Sequence, residues 1–259
     1  MNFLKTLFTT SILLLSHSAL AENWSVTQLH TNFGDALNPF TGESSFTRTY
    51  TIEHASEHDL GDNYFFIDFL NDSLSDGFQD TGIYGEWYTT LSLSKAFGTS
   101  VRYGAIKDTG LVFGINAGEE GLMKYTPGIK LSWDAPGFDF LTTTFAGYID
   151  ANGGVQKDQL AKQDNSIFID LAWGAPFTLA SQAFYFTGHV EYISGRDDEL
   201  GNKVNEWLLA QPAVHWDVGQ NFNLNPQQLM VGVEWRYWYN KLGTNKIENQ
   251  PFLHAIWVF

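Results

Sequence analysis

The 259-residue chain contains no cysteine. That removes disulfide scaffolds, thiolate metal centres and cysteine nucleophiles from consideration. Basic residues are also scarce: 14 Lys and Arg stand against 29 Asp and Glu, giving a formal net charge of -15. A surface so poor in cations does not neutralise phosphates, so nucleic acid is excluded as a partner. Proline is held to 7 residues, and beyond the first segment no apolar run reaches the ~20 residues a spanning helix needs. Mean hydropathy is only -0.18. Aromatics, by contrast, are plentiful at 21 Phe, 11 Tyr and 9 Trp. That much apolar surface argues against disorder.

The first segment reads as an address. Lys5 precedes the apolar run Leu7 to Leu15, and Ala19-Leu20-Ala21 supplies the small-x-small pattern before Glu22. These are the parts of a secretory leader, with cleavage expected after Ala21. Residues 1–21 are therefore set aside, and 22–259 are read as one domain without linker or internal repeat.

From there on, the dominant period is two. Leu229 to Tyr239 puts Val231, Val233, Trp235, Tyr237 and Tyr239 on one face and Gly232, Glu234, Arg236 and Trp238 on the other. The same alternation runs through 125–133, 166–174 and 184–193, and it marks strands with one apolar and one polar face. Twelve are expected, centred on 26–33, 46–55, 63–70, 83–94, 103–115, 123–133, 140–148, 166–173, 182–193, 206–216, 229–239 and 252–259. Most are about 9–12 residues, the length of a tilted membrane strand. No segment has the period of an amphipathic helix.

The connections alternate as well. Long polar ones are expected at 35–45, 71–80, 151–165, 194–205 and 240–250, and short ones at 57–62, 96–100, 134–139 and 176–181. Two depart from the trend: 217–228 is long and 116–121 short. An even count of antiparallel strands, with short periplasmic turns and longer extracellular loops, predicts an all-β, closed transmembrane barrel in the bacterial outer membrane. Trp24, Phe33, Trp133, Trp173, Tyr192, Trp216, Tyr239 and Trp257 lie near strand ends, where interfacial girdles form. Leu253, Ala255, Trp257 and Phe259 share one face of the last strand. The competing architecture, a secreted sandwich or jelly roll, is disfavoured by strand length and loop asymmetry.

Three strings carry a more specific likeness. Thr49-Tyr50-Thr51-Ile52-Glu53-His54-Ala55 is followed by Asp62-Asn63-Tyr64-Phe65-Phe66-Ile67-Asp68-Phe69-Leu70-Asn71-Asp72. Then come Gly82-Ile83-Tyr84-Gly85-Glu86-Trp87-Tyr88 and Leu91-Ser92-Leu93-Ser94-Lys95. In these the chain resembles the Tsx-type nucleoside-specific outer-membrane channels, including the OmpK branch. The resemblance implies a narrow, monomeric, twelve-stranded barrel passing nucleosides by diffusion, with surface loops that serve as phage or colicin receptors.

Nucleosides make definite demands: a base stacks on aromatic rings, and ribose hydroxyls donate to carboxylates or accept from Arg and Lys. The polar phase of the strands supplies both. Tyr64, Phe66, Tyr84, Tyr88 and Trp238 share it with Asp68, Glu86, Glu234 and Arg236. Glu53, Lys124, Lys130, Asp170, Glu191, Gln211 and His215 are assigned inward too. On strand 103–115, Lys107 and Asp108 point to opposite faces, and alternation alone leaves open which is wet. Lumenal charges also pair across strands simply to fill a barrel, so each of these residues has a structural alternative. Acidic loop residues such as Asp76, Asp80, Glu119, Glu120, Asp197, Asp198 and Glu199 form an exposed face suited to divalent cations at the lipopolysaccharide surface, without the spacing of a dedicated calcium loop.

Two other functions compete. His54 and Ser56 lie on one face, as in lipid-cleaving barrels, but no orienting acid has a place beside them and they sit at the periplasmic end. A general small-solute pore or a plugged structural barrel shares every feature of the fold. The sequence thus predicts no catalytic residue, no metal ligand and no cofactor.

Overall fold

The computed structural model describes residues 22–259. The leader expected at 1–21 lies outside the described residues. Twelve antiparallel strands close on themselves, as the alternation predicts. They are β1 (Glu22–Leu37), β2 (Ser44–His58), β3 (Gly61–Asp72), β4 (Gly82–Ser92) and β5 (Ile106–Gly118). Next come β6 in two pieces (Met123–Tyr125 and Gly128–Trp133), β7 (Phe140–Asp150), β8 (Ser166–Leu179) and β9 (Gln182–Ile193). The set ends with β10, also in two pieces (Trp207–Ala210 and Ala213–Trp216), β11 (Leu229–Tyr239) and β12 (Glu248–Val258).

Each break coincides with a proline, Pro127 in β6 and Pro212 in β10, which cannot donate to the ladder. Closure comes from β1 against β12, in register from Gln28 opposite Val258 to Phe33 opposite Leu253. Among the described residues no helix is long and apolar enough to cross a membrane.

The alternation separates two surfaces. Ile52, Ile67, Ile83, Ile167 and Leu253 point away from the bore and are exposed, Ile167 at 57% and Leu253 at 66%. An apolar belt of that extent around a closed sheet is what lipid tails demand and water penalises. The largest cluster of buried apolar side chains lies inside the barrel instead. Ala146, Tyr148, Phe168, Ile193 and Trp207 fill one side of the interior between β7 and β10.

Strand ends differ from expectation in a consistent direction. The apolar alternation predicts β1 at 26–33, yet it runs Glu22–Leu37, because its ladder with β2 continues through polar residues where that alternation has stopped. The first loop therefore shrinks to 38–43. The turn expected at 96–100 spans 93–105 and holds a short helix, α1 (Leu93–Phe97). Ser92 caps it by accepting from the Lys95 amide, and one turn is too short to show a helical period. Connections 93–105 and 217–228 are long on the end that otherwise has the tight turns 59–60 and 180–181. One girdle assignment also changes: Trp24 lines the bore, and its indole donates to Glu57 at 2.5 Å.

At the opposite end the loops fasten to one another. The Glu199 carboxylate accepts the amides of Lys162 (2.9 Å) and Val155 (2.8 Å), joining connections 194–206 and 151–165. Those two amides hold its pKa below the ordinary glutamate value. The link is thus complete above the ordinary carboxylate range and is lost only as pH falls through the lowered value. Beneath it, Lys124 on β6 and Asp150 on β7 form an ion pair of 2.6 Å whose side chains are 3% and 1% exposed.

Two outcomes follow. The closed ladder should resist cold dodecyl sulfate, so heating the detergent-solubilised protein should shift its gel mobility; identical migration before and after heating would contradict closure. Lys124→Met leaves Asp150 buried beside neutral donors only and should cost about 3–5 kcal/mol in urea unfolding from micelles, with Asp150→Asn in the same chain recovering part of it.

Candidate lumenal site

The bore is a cavity of about 1950 Å³, and every residue that alternation turned inward as a solute contact lines it: Glu53, Tyr64, Phe66, Asp68, Tyr84, Glu86, Tyr88, Asp170, Glu191, Glu234, Arg236 and Trp238. They fall into two walls of different character.

The first wall is built by β2, β3 and β4. Register sets Tyr64 opposite Tyr88, Phe66 opposite Glu86 and Asp68 opposite Tyr84. Rings therefore alternate with carboxylates along the wall. Tyr64 and Phe66 stand 6.2 Å apart between centroids, and Phe66 and Tyr84 6.0 Å. Tyr64 Oη donates to Glu53 Oε2 at 3.0 Å, and Thr51 Oγ1 donates to Asp68 Oδ1 at 2.6 Å. Glu86 gathers three donors: the Tyr84 hydroxyl, the Tyr88 hydroxyl at 2.8 Å and Asn116 Nδ2 at 2.8 Å.

A carboxylate offers about four acceptor positions. Glu53 and Asp68, each with one side-chain donor here, keep most of theirs for a solute. Asp68 and Glu86 have no ammonium or guanidinium within ion-pair distance among the described residues, and the nearest basic nitrogen to Glu53 is His30 Nε2 at 4.0 Å.

The second wall runs from β8 to β12 and is cross-linked. Asp170 pairs with His189 Nδ1 at 2.9 Å, and His189 Nε2 meets Gln211 Oε1 at 2.8 Å. Gln211 Nε2 donates to Glu234 Oε1 at 3.0 Å, and Arg236 pairs with that same oxygen at 3.0 Å. Arg236 also lies 3.9 Å from Glu248, which holds Lys241 at 2.6 Å. Asp170, Glu234 and Arg236 are therefore each engaged with a neighbouring strand. Glu191 is the exception, bonded to a neutral donor, the Trp207 indole, at 3.0 Å. Trp238 lies under the Lys241 ammonium at 5.2 Å, and its indole N–H is buried without a partner among the described residues.

The walls meet where Tyr88 stacks on Phe168 at 6.5 Å, from β4 across to β8. The inner face of β5 makes this approach feasible. A Cβ at Gly114 would stand 2.4 Å from the Tyr88 ring and 2.2 Å from Thr126 Oγ1. Beside the contact, Tyr148 packs on Phe168 at 6.4 Å and edge-on to Trp207 at 6.2 Å, and the Arg196 guanidinium lies 4.5 Å over Trp207.

Sequence reasoning left Tyr148, Phe168, Trp207 and His189 out of the site. His189 had a signal, since it shares the polar phase of β9 with Glu191. Phe168 had the same kind of signal, since it is in phase with Asp170 on β8. On strand β5 both Lys107 and Asp108 line the bore, next to an irregularity in the ladder with β6; Asp108 accepts from Ser92 (2.5 Å) and Ser94 (2.6 Å), while Lys107 is exposed. Lys130 spans the interior to Asp62 at 2.5 Å.

Asp72, Asp76 and Asp80 bring carboxylate oxygens within 4.8 Å of one another at the loop 73–81. Each accepts from nearby chain groups, Asp72 from Ser45 and Leu74, Asp76 from Asn38 and Phe78, and Asp80 from the amides of Asp76 and Gly77, which accounts for them as turn-formers. His54 is turned outward, stacked on Phe65 at 5.3 Å, and its Nδ1 meets Thr27 Oγ1 at 2.9 Å rather than an acid. A Ser–His–acid arrangement is therefore not assembled there.

No family model and no curated protein matches the chain. Among solved structures it is similar to a NanC porin, with TM-score 0.55 and 9% identity over 89% of this chain and 98% of that one. It is similar also to the COG4313 outer membrane channel from Pseudomonas putida F1, with TM-score 0.51 and 10% identity over 94% and 98%. A KdgM porin aligns at TM-score 0.47 and 7% identity over 91% and 99%. At such identities the likeness establishes the outer-membrane barrel fold and leaves the solute to be argued from the bore.

The closeness of Gly114 to Tyr88 is testable. Gly114→Leu should lower stability by about 1–3 kcal/mol through overpacking. In a Tyr88→Ala background that penalty should shrink, and equal penalties in both backgrounds would show that Tyr88 does not occupy the space.

Proposed function

We propose that the protein is a passive outer-membrane channel for nucleosides. The observation that carries this reading is the β2–β4 wall, where Tyr64, Phe66, Tyr84 and Tyr88 alternate with Glu53, Asp68 and Glu86, carboxylates with no Lys or Arg within ion-pair distance among the described residues. Rings receive the face of a base, and the free acceptor positions of Glu53 and Asp68 receive ribose hydroxyls. Each contact is single and open to water, so a solute held there also leaves, as conduction requires. Uncompensated acidity repels phosphates and thereby favours nucleosides over nucleotides. The Tsx-like strings at Thr49 to Lys95 fall on this same wall, which supports the reading. With it go cleavage after Ala21, residence in the outer membrane as a monomer, contact of the acidic loops with lipopolysaccharide, and use of those loops by phage or colicins.

Single-channel recording in planar bilayers tests the proposal. Adenosine or thymidine should block the ion current, while sugars and amino acids should not. Asp68→Ala and Glu86→Ala should each weaken the block about tenfold, the scale of one lost hydrogen bond to a charged group, with the gel shift on heating retained. A current unaffected by any nucleoside would make this a general pore, and unchanged block in both variants would remove Asp68 and Glu86 from the site.

A further inference from the structure

Three of the seven histidines stand in a row on β1, β12 and β10, next to the ring-and-carboxylate face that begins at β2. His30 on β1, His254 on β12 and His215 on β10 are joined ring to ring: His30 Nδ1 to His254 Nε2 at 3.1 Å, and His254 Nδ1 to His215 Nε2 at 3.0 Å. Strand β11 lies between His254 and His215 and contributes Gly232, paired with both. A Cβ there would meet the Val214 carbonyl at 2.0 Å, so a bare residue is what lets the two rings approach. His30 and His254 line the bore, and His215 is fully buried behind them.

The hydrogen-bond pattern fixes which nitrogens carry protons. Gln28 Oε1 accepts from His30 Nε2 at 3.0 Å, leaving a lone pair on His30 Nδ1. His254 Nε2 donates to that lone pair and His215 Nε2 donates to His254 Nδ1, so three neutral rings suffice for the row. His215 Nδ1 is then left buried without any partner among the described residues.

We propose that His30 Nδ1 and His254 Nε2 form a two-imidazole site for a borderline divalent transition-metal ion in the channel wall. Two imidazoles on a tetrahedral zinc ion, each about 2.0–2.1 Å from it, stand about 3.3 Å apart. In separation the observed 3.1 Å needs only a few tenths of an ångström of spreading, and both rings must also turn so that their lone pairs converge on the ion. The other nitrogen of His30 is already bonded to a carbonyl oxygen, the arrangement that orients a ligating imidazole.

Freeing His254 Nε2 does not expel a proton. Its N–H moves to Nδ1 and donates to His215 Nε2, and the displaced His215 proton moves to the unpartnered Nδ1. All three rings stay neutral, the form that binds metal. With only two protein ligands, water completes the coordination and binding is reversible.

The site is independent of which solute the channel passes, so its test and the nucleoside test fail separately. Zinc chloride alone is titrated calorimetrically into the full barrel in detergent and added to planar bilayers. The ion should bind saturably and lower single-channel current. His30→Gln and His254→Gln should each weaken binding about tenfold or more, since each deletes one of two ligands. His215→Gln should have a smaller effect, because its amide can still accept from His254 Nδ1. His189→Gln, and Asp76→Asn with Asp80→Asn, should leave zinc affinity unchanged, while the gel shift on heating shows that each variant folds. No zinc binding up to about 1 mM, affinities of His30→Gln and His254→Gln within twofold of the parent, or loss of binding in the His189 or aspartate variants would each overturn the proposal.

Discussion

Everything in this molecule depends on one pairing, β1 against β12. Hydrocarbon supplies no hydrogen-bond partners, so a sheet with a free edge would leave a row of amides and carbonyls unsatisfied there. Closure removes the edge and dictates the rest. One residue in two must face lipid, which gives the belt that includes Ile67, Ile83 and Ile167. The other must face the interior, whose carboxylates and hydroxyls make it too polar for an oil-like core. Cohesion therefore resides in the backbone ladder, and the side chains of the interior are free to carry charge.

How that charge is balanced divides the bore in two. On the β8–β12 side each carboxylate except Glu191 has a cationic or histidine partner: Asp170 with His189, Glu234 with Arg236, and Glu248 with Lys241. Such pairs fix geometry, because removing one partner strands a buried charge. On the β2–β4 side the partners of Asp68 and Glu86 are hydroxyls and amides. Neutral donors satisfy lone pairs without supplying a countercharge. The β8–β12 wall holds the barrel in shape, and the β2–β4 wall remains available.

The architecture was legible in the sequence because a two-residue period sustained over nine or more residues fits a half-buried strand and does not fit a helix. Residues such as Glu86 and Asp68 were placed inward by phase alone. Strand ends were not legible, since the ladder of β1 and β2 continues through Asp35, Ala36 and Ser45, where no apolar signal marks it. The one-turn helix after β4 was invisible because a single turn shows no helical period. Partnerships inside the bore escaped most completely. That Lys130 reaches Asp62 and Tyr88 reaches Phe168 depends on strand stagger and curvature, which the sequence of one strand does not state.

Fold likeness at about a tenth identity transmits the barrel and not its cargo, so selectivity must reside in the inward phase of the strands. Here that phase is uneven. β5 offers Gly110, Val112 and Gly114, and the side chains of its neighbours fill the room it leaves, with Thr90 and Tyr88 against the two glycines. The bore is thereby drawn together between Tyr88 and Phe168, whose ring centroids stand 6.5 Å apart. The same narrowing places Glu86, hydrogen-bonded to Tyr88, beside the passage. Small residues on one strand thus bring an aromatic face and a carboxylate bonded to neutral donors to one place.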